Sequence, residues 1–183
     1  MTDKTFEQSY KWEVEKGLTN ERNDKGGLTN DGITLERFNQ VCKKVLGCKP
    51  TDERFKALTK DEVKRFYAYS FKMVGCDKIE NEIVAAVCFD FALNSSKGKR
   101  EIQKVLVGLG YKLTIDNIFG EKTIRCINRT AKIAGPYKLC SKILEARQNY
   151  VNSLVLKDES QRRFLKGWTN RIEDWKRFAF ANT

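Results

Sequence analysis

Histidine is absent from the 183 residues of this chain. Zinc hydrolases normally take histidine ligands, and Cys–His and Ser–His–Asp hydrolases take histidine as the base, so these chemistries are disfavoured together. Carboxylate chemistry passes the filter, and neither a metal nor a cofactor is expected. Proline is scarce, with two residues, which argues against long linkers. No run approaches the roughly 20 apolar residues that a membrane span needs, although a 40% hydrophobic content is enough for a core. Internal repeats and low-complexity tracts are missing. The opening residues, Met1 to Glu7, lack the charged start and apolar run of a signal peptide, so synthesis in the cytoplasm without such a leader is expected. Six cysteines, at 42, 48, 76, 88, 126 and 140, include no C-x-x-C pair and have no histidine with which to complete a zinc site. Free thiols are expected in preference to disulfides.

Charge is plentiful but uneven. The net charge is +11, yet residues 1–94 carry 16 Lys/Arg and 16 Asp/Glu, while residues 95–183 carry 19 Lys/Arg against 8 Asp/Glu. This asymmetry predicts a neutral reacting region over 1–94 and a basic region over 95–183 that attracts a polyanion. Bacterial wall polymers, anionic membrane surfaces and nucleic acid all fit that description. Nucleic acid is the weakest of them, because no nucleic-acid motif accompanies the lysines and scattered lysines are usually solvated helix faces.

The densest chemistry lies between Glu15 and Thr34. A carboxylate, Glu15, closes an amphipathic helix that runs from Thr5 to Lys16, and a second, Asp24, follows nine residues later. Gly26-Gly27 and Gly32 mark tight turns, because glycine tolerates positive φ. Leu28-Thr29 and Ile33-Thr34 are positioned to pair as a small hairpin. A carboxyl on a helix end opposite one on a short β-loop suits hydrolysis of a glycosidic bond. One acid protonates the leaving oxygen while the other activates water or faces the developing cation. Trp12, three residues before Glu15, shares its helix face, and an indole beside a carboxyl raises its pKa toward that of a working acid. The plainer reading makes Trp12 core, Glu15 a surface acid, Asp24 an Asx-turn residue and Thr29 an ordinary strand threonine.

The same stretch resembles the signature of family 108 glycoside hydrolases, which are N-acetylmuramidases of phage lysis cassettes and bacterial wall-remodelling systems. Glu15-Lys16-Gly17 stands for Glu-Gly-Gly, and Asp24-Lys25-Gly26-Gly27-Leu28-Thr29-Asn30-Asp31-Gly32-Ile33-Thr34 for Asp-x-Gly-Gly-x-Thr-Asn-Tyr-Gly-Ile-Thr. Lys16 replaces a glycine, and Asp31 replaces a tyrosine. The second change either removes a sugar-stacking surface or adds a third acid. The spacing of Glu15, Asp24 and Thr29 is also similar to that of phage-type lysozymes, with the Asp-to-Thr gap one residue shorter. There the Glu is the acid, and Asp and Thr handle the water.

Further helices are expected over Leu35–Gly47, from the Thr59–Glu62 capping box to about Gly75, and over Ile79–Asn94. The last is apolar all round, which predicts a buried central helix. Asp90 and Asn94 stand four apart on one of its faces, either satisfying buried backbone or lining a cleft. The resemblance implies a sugar-facing role for Asn94, within a Phe-Asp…Asn-x-Gly pattern in which Ser96 takes the glycine position. It also implies a Tyr-Trp pair where Tyr69-Ser70 stands. Ile102-Gln103, followed by Asp116-Asn117-Ile118-Phe119-Gly120-Glu121-Lys122-Thr123, resembles the helical peptidoglycan-binding module that usually follows the catalytic region. That turn reads as mainly structural. Phe164, Gly167, Trp168 and Arg171 match a terminal Phe-x-x-Gly-Trp-x-x-Arg stretch, where packing is the expected role.

The resulting expectation is a mainly α, lysozyme-like fold with a small β-hairpin at the cleft and a C-terminal helical part. Residues 1–94 would form the muramidase region and 95–183 a basic peptidoglycan-binding region. The expected catalytic residues are Glu15, Asp24 and Thr29, and the expected substrate contacts are Asn94, Asp31, Tyr69 and Asp90. The chain is expected to act as a monomer on peptidoglycan, as a phage endolysin reaching the wall through a pore or a secretion route. A bacterial wall-remodelling or secretion-assisting muramidase, and a non-catalytic wall- or nucleic-acid-binding protein, are the alternatives.

Overall fold

The computed structural model describes residues 1–14, 18–19 and 28–183. Contacts divide the chain into two compact units, Thr2–Lys72 and Met73–Thr183, the latter together with Met1.

In the first unit α1 spans Asp3–Val14. The short strands β1 (Leu18–Thr19), β2 (Thr29–Asn30) and β3 (Ile33–Thr34) follow, then the helices α2 (Leu35–Leu46), α3 (Asp52–Lys56) and α4 (Lys60–Val74). The strands form one antiparallel sheet in the order β1-β2-β3. Helix α2 starts where the Arg37 N–H donates to the Thr34 hydroxyl and stops where Gly47 turns left-handed at φ 76°. The expected capping box opens α4 reciprocally. The Glu62 N–H donates to Thr59 Oγ1 at 3.3 Å and the Thr59 N–H to Glu62 Oε2 at 3.1 Å.

Aromatic side chains fill this unit. Phe6 stacks on Tyr10 (5.1 Å between centroids) and meets Tyr67 edge-on, while Phe38 packs against Phe55 and Phe66. The buried stripe of α4 is Val63, Phe66, Tyr67 and Phe71, while Ser70 and Val74 are half-buried. Lys60 bridges to Glu7 at 2.9 Å and Lys64 to Asp3, tying α4 to α1 across the top of this core.

The second unit is a helical bundle of α5 (Glu82–Leu93), α6 (Gly98–Gly108), α7 (Glu121–Ala134), α8 (Pro136–Lys157) and α9 (Arg162–Asn182). Asn81 caps α5 by accepting from the Ile83 and Val84 N–H groups. All nine residues from Ile83 to Phe91 are buried, as an apolar run of this length requires of a central helix. Helix α8 packs along α5, α6, α7 and α9. The last helix starts five residues before Gly167, which lies in its interior. A short 3-10 turn, Glu159–Gln161, precedes it and is capped by Asp158, whose carboxylate accepts from the Ser160 N–H.

The one charged residue of the α5 run, Asp90, is 1% exposed. Arg171 Nε donates to Asp90 Oδ1 at 3.1 Å, and Arg147 Nη1 reaches Oδ2. Helices α5, α8 and α9 therefore meet on one carboxylate. Burial alone raises the Asp90 pKa, but Arg171 and Arg147 outweigh it and hold the carboxyl below the ordinary aspartate range. Gly98 sets a second constraint. A Cβ there would lie 2.3 Å from the Phe91 carbonyl oxygen, so α6 can start this close to α5 only without a side chain.

Two outcomes are expected. Asp90→Asn leaves two buried guanidiniums short of their counter-charge and costs about 3–5 kcal/mol in denaturant unfolding. Because the folded pKa of Asp90 is depressed, the stability it contributes is present above the unfolded value of about 3.9 and is lost as pH falls below it. The acid-induced decline in stability should therefore be shallower in Asp90→Asn than in the parent. Gly98→Ala forces α6 away from α5 and costs about 3 kcal/mol by the same measurement.

Candidate functional site

The expected hairpin is present and is fixed by its turn. Asn30 pairs with Ile33 and Thr29 with Thr34, and the connecting residues Asp31 and Gly32 have φ of 47° and 77°. Two consecutive positive φ values are the requirement of the tight primed turns that join twisted strands, and Asp-Gly satisfies it at low cost. A bulky tyrosine at position 31 is less at ease there than aspartate, which is among the side chains tolerant of this backbone region.

Each hairpin side chain has a definite partner. Thr29 Oγ1 lies 2.6 Å from Thr19 Oγ1 across β1 and β2, where the two residues are directly paired. Asn30 is 7% exposed and its Nδ2 donates to the Phe55 carbonyl at 2.7 Å, which pins the sheet to the end of α3. Tyr10 on α1 donates its hydroxyl to Asp31 Oδ2 at 3.0 Å. Burial, then the bond to Asp31, push the Tyr10 pKa up to about 12, so the phenol stays protonated and donating throughout the neutral range. The result is a short sheet held rigidly at both ends, with a pair of hydroxyls on its first two strands.

Of the expected catalytic residues, Thr29 is therefore on this sheet, half-buried and in contact with a second threonine. Glu15 and Asp24 lie outside the described residues. In sequence, Glu15 falls between α1 and β1, and Asp24 falls between β1 and β2. Asp31 is half-buried and engaged by Tyr10. Tyr69 on α4 is half-buried beneath the Arg37 guanidinium, 5.6 Å from its ring centroid.

Asp90 and Asn94 belong to the second unit. Asp90, expected among the substrate contacts, is instead inaccessible and committed to Arg147 and Arg171. Asn94 is exposed at the end of α5, where its Nδ2 donates to the Asp90 carbonyl at 2.9 Å. Tyr10, Thr19 and Asn30 were not singled out from the sequence. Only Asn30 carried a signal, as the neighbour of Thr29 inside the Thr29-Asn30-Asp31-Gly32 stretch.

The Ile-Gln and Asp-x-x-x-Gly-x-x-Thr pattern of the second unit resolves into one buried amide. Gln103, 1% exposed, donates to Asp116 Oδ1 (2.7 Å), the Ile118 carbonyl (2.9 Å) and Thr123 Oγ1 (3.3 Å), and accepts from the Asn117 N–H (2.8 Å). Asn117 supplies the positive φ, 65°, that the turn needs. The motif thus builds the loop between α6 and α7. Beside it lies an open depression of about 260 Å³ whose lining includes Tyr111, Lys112, Lys122, Arg125 and Arg129. Four cations and a phenol on one concave surface favour an anionic ligand.

A mainly helical, lysozyme-like chain with a short, tightly fastened sheet after its first helix is thus in hand, and its relatives agree. Residues 9–96 match the model of glycosyl hydrolase 108, and residues 97–173 match that of a predicted peptidoglycan domain. Residues 9–96 are thus a glycosyl hydrolase 108 region followed by a predicted peptidoglycan domain over 97–173, and together they support a peptidoglycan hydrolase. The solved structure of Brucella abortus SagA is similar over 98% of this chain and 96% of its own, at 26% identity and a TM-score of 0.69. No curated protein matches significantly.

Asn30→Ala should leave the buried Phe55 carbonyl without its donor and lower stability by about 1–3 kcal/mol in thermal or denaturant unfolding, more than an exposed asparagine on the same unit would.

Proposed function

We propose that the chain is an N-acetylmuramidase that cleaves the β-1,4 bond between N-acetylmuramic acid and N-acetylglucosamine in peptidoglycan. Glu15 is the general acid, Asp24 the partner carboxylate, and Thr29 the group that positions water. The observation that carries this reading is the resemblance of the Glu15-to-Thr34 stretch to the hydrolase signature, inside the residues 9–96 that match the family, in a chain whose lack of histidine favours carboxylates as the acid–base groups. The hydroxyl pair of Thr29 and Thr19 supports it. Two hydroxyls 2.6 Å apart offer a donor and an acceptor at one point, which is what holding a water in a fixed orientation needs.

Asn94, exposed at the end of α5, and the half-buried Asp31 and Tyr69 are the proposed substrate contacts. Asp90 acts through Asn94, which its own backbone carbonyl and Oδ1 hold in place. The basic depression between α6 and α7 is the proposed docking surface for the peptidoglycan strand or an anionic wall polymer, or for an anionic membrane surface. The chain works as a monomer. It is made in the cytoplasm and reaches the wall through a phage pore as an endolysin, or through a dedicated secretion route. The likeness to a Brucella abortus protein favours the second, a bacterial wall-remodelling or secretion-assisting muramidase.

The test is Glu15→Gln. Release of reducing ends from purified peptidoglycan should fall about 10²–10⁴-fold while the unfolding midpoint stays unchanged. Undiminished release by the folded variant would remove Glu15 from the role of acid.

A further inference from the structure

Cys42 and Cys48 meet in a way the hydrolase reading neither uses nor requires. Cys42 lies on the last turns of α2 and is fully buried; Cys48 lies just beyond the helix and is partly accessible. Gly47 between them adopts φ 76°, which folds the chain back so that Cys48 returns over the helix end. Their sulfurs are 3.4 Å apart. A disulfide bond is about 2.05 Å long, so closing it needs a movement of little more than an ångström. Both cysteines are free thiols, and the segment that must move is Cys48-Lys49-Pro50, which connects two helices and belongs to neither.

We infer that Cys42 and Cys48 form an oxidisable dithiol, a modification site that closes to a disulfide between the end of α2 and the segment leading to α3. The two sulfurs differ in a manner that orders the steps. Burial and the neighbouring Cys48 push the Cys42 thiol up to about 11, whereas Cys48 is reachable from solvent and interacts with the Arg54 guanidinium, itself paired to Glu62. The accessible sulfur, Cys48, is the one that an external disulfide meets first.

With a small-molecule disulfide R–S–S–R as oxidant, Cys48 loses its proton and attacks one sulfur, expelling RS⁻, which takes up that proton, and forming a mixed disulfide. Cys42 then loses its proton and its sulfur attacks Cys48 Sγ, breaking the mixed disulfide and expelling the second RS⁻, which is protonated in turn. The dithiol gives up two electrons and two protons, and R–S–S–R becomes two RSH. The remaining cysteines are set apart from this exchange. Cys76, Cys88 and Cys140 are buried with raised thiol pKa values, and Cys126, on α7, belongs to the second unit.

The experiment uses the full chain with oxidised glutathione, followed by thiol blocking and mass spectrometry of an unreduced tryptic digest. The expected product is peptide 38–43 joined to peptide 45–54, lighter by two hydrogens than the two together and separated by reductant. The oxidised protein should also melt higher than the reduced one by about 5 °C, because the bridge restricts the unfolded chain. Cys48→Ser and Cys42→Ser should each abolish both the linked peptide and the shift. A stable glutathione adduct on Cys48 that never resolves would overturn the inference, as would links scattered among the other cysteines or no oxidation at all. Each of these results bears on the thiols alone and leaves the muramidase reading standing.

Discussion

A single carboxylate inside an apolar helix gathers the second unit. Asp90 sits among nine consecutive buried residues of α5, and a bare charge there would be untenable. Arg147 from α8 and Arg171 from α9 neutralise it. The arrangement fixes the rotation of three helices about their own axes, since turning any of them by one residue would leave a charge unpaired in the core. The family boundary falls at residues 96 and 97, yet α5, which belongs by sequence to the hydrolase region, is packed and ion-paired with α8 and α9 of the peptidoglycan domain. The end of the hydrolase region therefore shares a core with the peptidoglycan domain, within the unit Met73–Thr183.

In that first unit the governing constraint is the turn at Asp31-Gly32. Its two positive φ values set the register of β2 and β3, which places Thr29 opposite Thr34; β1 adds on the other edge with Thr19 opposite Thr29, and Asn30 turns inward onto the end of α3. Tyr10 then reaches across from α1 to hold the turn residue itself. The replacement of the family's tyrosine by Asp31 has a physical account in this geometry. It supplies a residue suited to the backbone and an acceptor for the Tyr10 phenol.

Much of this was legible in the chain of residues because the signals were local. Hairpin chemistry, the Thr34 cap, the Thr59–Glu62 box and the all-apolar α5 run are each written within a dozen positions. What was not legible depended on distant partners. Asp90 and Asn94 share a face of α5, but only the arrival of Arg147 and Arg171 from more than fifty residues away separates an internal counter-ion from an exposed amide. The same holds for Gly98, whose need for a missing Cβ comes from the Phe91 carbonyl of a neighbouring helix, and for Tyr10, which meets Asp31 21 positions on. Gly167 has the look of a helix boundary in the sequence, yet it stands inside a helix already begun at Arg162.

The proposed reaction, acid-catalysed cleavage on the muramic acid side of the glycan, rests on a histidine-free composition, a carboxylate motif and a peptidoglycan domain. The identity of the sugar left at the new reducing end tests it most directly. Purified peptidoglycan digested by the full chain, reduced with borohydride and analysed by mass spectrometry should yield muropeptides ending in reduced N-acetylmuramic acid. Fragments ending in reduced N-acetylglucosamine, or cuts confined to the peptide stems, would contradict it.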